Sequence, residues 1–164
     1  MKNTDVQRLC EIFNETEQLL EQYNAIAGVI MKTESDEAEL LTEKIDERQK
    51  LIDRVKELQG EVTAILDSGD KHEAELIRGM LTGENAIQRI PDELDPVRKA
   101  IVNLRSAHMK AAESDRNLQL QFESRLQEAK DQLMQLNSDK KKLNYYSSLQ
   151  QGSARLGGSL DGSF

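Results

Sequence analysis

At 164 residues the chain has the length of one domain, and 30 acidic against 22 basic side chains leave it a formal net charge of -8. That balance argues against binding to nucleic-acid backbones or anionic membrane surfaces, because both are held chiefly by Lys and Arg on phosphates. With no Trp, three Phe, three Tyr and two Pro among abundant Leu, Glu, Lys and Gln, the composition predicts an all-α protein with an aliphatic core.

Thr4 and Gln7 stand at capping-box spacing, which predicts a first helix from about Asp5. Val6, Leu9, Cys10, Phe13, Leu19, Leu20, Tyr23, Ile26, Ala27, Ile30 and Met31 then recur every three or four residues as one buried stripe. Gly28 interrupts that stripe at a cost of about 1 kcal/mol relative to Ala. Beside Ala25 and Ala27 it suits the close approach of a neighbouring helix. Thr33-Glu34-Ser35-Asp36-Glu37 reads as a stop and a restart, with Ser35 as N-cap and Asp36 and Glu37 as first-turn acids. The alternative is one uninterrupted helix from Asp5 to Leu66.

The second helix carries the seam Leu41, Ile45, Ile52, Val55, Leu58, Val62 and Leu66, flanked by Leu51 and Ile65. Arg48 occupies a seam position between Ile45 and Ile52. There it either fixes register or lays its stem on the core and extends its head to water. Asp67-Ser68-Gly69-Asp70 is the clearest loop, and Asp70 with Glu73 repeats the capping-box spacing. A short helix follows, with Ala74, Ile77 and Leu81 on one face and a stop at Thr82-Gly83. Ala86, Ile87 and Ile90 are expected to cover one end of the bundle.

Asp95-Pro96 predicts the start of a long helix, with Asp95 as N-cap and Pro96 in the first helical position. Its seam is Val97, Ile101, Leu104, His108, Ala111, Asp115, Leu118, Phe122, Leu126, Ala129, Leu133, Leu136 and Leu143. His108 and Asp115 fall one heptad apart where apolar residues are expected. They read either as a polar layer, joined by Arg48, that selects register or answers to pH, or as exposed residues on a slightly rotated helix. Lys140, Lys141 and Lys142 are placed to complement the negative end of the helix dipole. Tyr145-Tyr146 and a run of Ser, Gln and Gly follow, punctuated by Leu149, Leu156, Leu160 and Phe164, and that composition predicts mobility. The expected architecture is therefore an elongated antiparallel helical bundle or coiled-coil hairpin with one long C-terminal helix. Residues 1–146 form the bundle and 147–164 a flexible Gly/Ser-rich tail.

The chain carries no phosphate-binding glycine loop, no CxxC, no HExxH and no Gly-x-Ser-x-Gly. Neither His72 nor His108 follows a carboxylate at the Glu-x-x-His spacing of di-metal bundles. No catalytic residue, metal ligand or cofactor is assigned, and an enzyme is not expected. A carboxylate-based metalloenzyme ranks last among the readings. Cys10, the lone cysteine, reads as a small buried hydrophobe in a reducing compartment. The opening Met-Lys-Asn-Thr-Asp has no signal-peptide h-region, and residues 22–31, an uncharged and largely apolar stretch, are too few to cross a bilayer. The expectation is a cytoplasmic protein with no membrane insertion and no nucleic-acid partner.

Two stretches resemble the FlgN-like family of flagellar export chaperones, with the FliT-like type close behind. The first is Glu43-Lys44-Ile45-Asp46-Glu47-Arg48-Gln49-Lys50-Leu51-Ile52-Asp53-Arg54-Val55-Lys56-Glu57-Leu58. The second begins at Ser114-Asp115-Arg116-Asn117, continues through leucines every three or four residues, and reaches Lys140-Lys141-Lys142-Leu143-Asn144-Tyr145-Tyr146. The resemblance implies a type III secretion chaperone that binds amphipathic C-terminal helices of hook-associated, hook-filament junction proteins and delivers them to the export gate and ATPase. A filament-cap chaperone or a structural coiled-coil component of the export machinery are the alternatives. Helix-in-groove recognition would place the client on Leu118, Phe122, Leu126, Leu133, Leu136, Leu143, Tyr145, Tyr146 and Leu149. Each of these also reads as core, those ahead of Leu133 more readily. A homodimer is one way to cover the stripe before a client arrives.

Overall fold

The three-to-four periodicity of the sequence becomes helix throughout, in the order α1 (Asn3–Lys32), α2 (Ala38–Ser68), α3 (Lys71–Thr82), a 3-10 turn (Asp92–Leu94) and α4 (Asp95–Leu156). The structure, a computed structural model, describes residues 3–34, 37–84 and 90–156, with side chains over 4–34, 37–84 and 90–148. Its contacts separate two compact units, Met1–Gln119 and Leu120–Phe164. The fold is an all-α helical bundle with one long C-terminal helix.

In the first unit α1 and α2 run antiparallel, as their ion pairs record. Arg8 Nη2 lies 2.6 Å from Glu61 Oε2, and further along Arg54 Nη2 lies 2.8 Å from Glu15 Oε1. Leu9, Ile12, Phe13 and Leu20 of α1 meet Leu58, Val62 and Leu66 of α2 and Val97, Ile101 and Leu104 of α4 in one core. α3 closes this core with Ala74, Leu76, Ile77 and Met80. A smaller cluster of Ala27, Ile30 and Leu118 continues the packing of α1 on α4. Ile12, Thr16 and Leu76 are buried although they lie outside the seams traced in the sequence. Thr16 is accommodated because its hydroxyl donates back to the Ile12 carbonyl at 2.8 Å.

The punctuation explains the helix ends. The Asp70 carboxylate accepts from the backbone N–H groups of His72 and Glu73, which caps α3 and holds the Asp70 pKa below the usual carboxylate range, the Glu73 N–H contributing most. Gly83, at φ 86, ends α3: its N–H and that of Glu84 both reach the Gly79 carbonyl at 2.9 Å. The break after α1 is real. α1 stops at Lys32, and Glu37 returns its carboxylate to the Glu34 N–H at 3.1 Å. α2 starts at Ala38 with Glu37 at its N-cap position, so the cap does not fall at the expected Ser35 and Glu37 is not a first-turn acid; Ser35 and Asp36 themselves lie outside the described residues, as do Ala86 and Ile87.

Several expectations need correction. α1 begins at Asn3, so Thr4 lies inside the helix. Asp95 is helical, not an N-cap, because the chain enters α4 through the 3-10 turn; its carboxylate instead binds Lys99 and Arg98, which in that order lower its pKa. A β-carbon built on Gly28 would meet nothing within 4 Å, so among the described residues no helix approaches closely there. The helix also runs through residues 147–156, where a flexible tail is expected, to Leu156. The Lys140, Lys141 and Lys142 run therefore stands inside α4, with Lys142 Nζ 3.7 Å from Asp139 Oδ1, and does not cap its end.

Candidate interaction surface

In the first unit the polar seam residues sort themselves by geometry. The Arg48 guanidinium lies 3.6 Å from the centre of the Tyr23 ring, and its Nε donates to the Tyr23 carbonyl at 3.3 Å. The same guanidinium donates to Asp115 Oδ1 at 2.7 Å, and the Tyr23 hydroxyl donates to that oxygen at 2.8 Å. One carboxylate oxygen thus ties α2 to α4 and α1 to α4. Burial, then the bond to Asp115, hold the Tyr23 phenol above its ordinary pKa. Of the two sequence readings, the polar layer describes Asp115 with Arg48, while exposure describes His108, which takes no part in this cluster. Cys10 packs against the core half-buried, and burial with the neighbouring Glu11 raises its thiol pKa, away from reactivity.

The second unit has a different character. Within the residues from Leu120 to Ser148, no large apolar side chain is buried. Phe122 is 39% exposed, Leu126 57%, Leu133 60%, Leu136 65%, Leu143 69%, Tyr145 63% and Tyr146 64%. Of the residues expected to meet a client, Leu118 alone is spent in the bundle, packed with Ala27 and Ile30 in the first unit. The Leu149 side chain lies outside the described residues. Phe122 and Leu126, which read more readily as core, are exposed. Leu120 and Met134 are exposed as well and were missed, because tracing only the seam passes over the residues beside it.

Local pairs support this part of α4 in place of packing. Ser124 donates to Glu128 at 3.2 Å, Gln127 to Asp131 at 2.9 Å and Gln135 to Asp139 at 3.3 Å. Each contributes about 0.2–0.5 kcal/mol to an exposed helix. The Tyr145 and Tyr146 rings meet edge to face with centroids 6.1 Å apart. Among the described residues there is no group of His, Cys, Asp and Glu that could hold a metal ion, and no helix long and apolar enough to cross a membrane. No family model, curated protein or solved structure matches this chain.

Proposed function

We propose that this protein is a helix-binding chaperone whose recognition surface is the exposed apolar stripe Phe122, Leu126, Leu133, Leu136, Leu143, Tyr145 and Tyr146. The observation that carries this reading is the exposure of those side chains, from 39% to 69%, along one helix. Large apolar side chains exposed along a helix in this way are a liability in water unless a partner covers them. An amphipathic helix laid along the stripe would gain about 1.5 kcal/mol or more for each large side chain it fully buries. The Tyr pair adds rings with polar tips, which suit the edge of such an interface.

The resemblance to FlgN-like chaperones narrows the client class to the C-terminal helices of hook-associated proteins, carried in the cytoplasm to the flagellar export gate. A filament-cap client is the close alternative. A second reading has its own observation in favour: Leu126, Ala129, Leu133, Leu136, Lys140 and Leu143 alternate by three and four residues, the repeat of a coiled-coil seam. That repeat would equally serve a permanent assembly of copies of this chain.

Titrating the purified chain with a client's terminal-helix peptide, beside sedimentation of the chain alone, separates these readings. The chaperone reading expects reversible one-to-one binding, weakened by about tenfold or more in Leu133→Glu and Leu136→Glu with the bundle's melting unchanged. An assembly of copies that the peptide does not dissolve would replace it with the structural reading.

A further inference from the structure

A second feature lies in the first unit, away from the stripe. A cavity of about 350 Å³ opens where α1, α2, α3 and the start of α4 converge. Its floor is apolar: Phe13, Val62, Leu66 and Leu104 line it, and each is 2% to 8% exposed. Arg78, Arg105 and His108 line it too, all with exposed side chains, so they form its mouth. Among the described residues no carboxylate lines the cavity, in a chain with 30 Asp and Glu.

The three mouth residues are not equivalent. Arg78 is neutralised by an ion pair with Asp67. Partial desolvation at the cavity mouth pushes the His108 pKa down. Arg105 has no carboxylate partner among the described residues. Its guanidinium is seated on Gly83, where a β-carbon would come within 2.9 Å of Nη2. The left-handed turn that ends α3 thus provides a flat place that only glycine leaves open, and it sets one unpaired positive charge beside an apolar floor.

We propose that this cavity binds a medium-chain aliphatic carboxylate, its tail on Phe13, Val62, Leu66 and Leu104 and its carboxylate on the Arg105 guanidinium. Charge complementarity selects the head group, since a planar guanidinium matches a carboxylate with two parallel hydrogen bonds. The volume selects the tail. At roughly 30 Å³ for each water-sized group, 350 Å³ holds on the order of twelve, the size of a decanoate.

Calorimetric titration of the full chain with decanoate and with decanol tests this. Decanoate should bind one per chain, about tenfold tighter than decanol, since hydrogen bonds to a charged partner are the stronger kind. Arg105→Gln should bring decanoate down to the decanol level and leave decanol unchanged. Thr63→Trp, at an exposed position lining the cavity, should block both ligands. Equal affinity for acid and alcohol, or decanoate binding that Arg105→Gln does not weaken, overturns the proposal. So does binding that survives Thr63→Trp, because the ligand would then sit elsewhere, as on the α4 stripe.

Discussion

Arg48 joins two kinds of interaction that are usually separate, a stack on the Tyr23 ring and an ion pair with Asp115. Its side chain is only 12% exposed, whereas that of Asp115 is 52% exposed, so water screens one partner and not the other. The pair should therefore couple more strongly than a fully exposed one, by about 1 kcal/mol, and weaken with salt. A double-mutant cycle with Arg48→Met and Asp115→Asn, followed by urea unfolding at low and high salt, measures that coupling. A value indistinguishable from zero would mean that the pair only decorates the surface. Tyr23 adds a pH signature. Its pKa is raised in the fold by burial and by Asp115, so its contribution is complete below the unfolded value and is lost as pH climbs through the folded one. The melting temperature should fall more steeply as pH rises above about 10 in the parent chain than in Tyr23→Phe. Parallel curves would remove the phenol from the account.

The helices differ in how plainly their residues announce them. Asp70 before α3 and Gly83 after it act where the sequence puts them, because a carboxylate cap and a left-handed glycine work through backbone atoms two or three residues away. Local chemistry of that kind survives any tertiary context. Asp95 shows the limit: Asp-Pro describes a helix start, yet a 3-10 turn over Asp92–Leu94 reaches it first and turns its side chain toward Arg98 and Lys99. Periodicity is similarly blind to partners. The spacing of Leu104, Ala111 and Leu118 continues into Leu126, Leu133 and Leu136 without a change of pattern, but the first set is 5% to 7% exposed and the second 57% to 65%. Nothing in a three-to-four repeat states whether another helix lies opposite. Arg48 and Asp115 were legible as seam residues, but Tyr23, which binds both, looked like one more member of the α1 stripe. The cavity was not legible at all, since its floor is drawn from α1, α2 and α4 and exists only once they pack.

At the scale of the molecule, the two units rest on different sources of stability. Met1–Gln119 has a core in which Leu9, Ile12, Leu58 and Ile77 are fully buried. Leu120–Phe164 has no such core among its described residues, so its helix depends on propensity and on local pairs. Isolated helices are marginal in water, because each must offset its own nucleation cost with about one hydrogen bond per residue fixed. Amide exchange should therefore divide near Gln119. Amides of α1, α2, α3 and the first part of α4 should open only with the global unfolding of the bundle, and those from about Phe122 onward should exchange far faster, near the rate of a fraying helix. Truncation after Gln119 should correspondingly move the melting temperature by no more than a few degrees, since it removes no residue of the main core. Protection of the second part of α4 equal to that of the first would mean that its stripe is already covered in solution. If a copy of this chain covered it, the protection would fall on dilution, and a client helix peptide would restore it. Hydrogen exchange at two protein concentrations, with and without the peptide, therefore reads directly which partner the exposed leucines take.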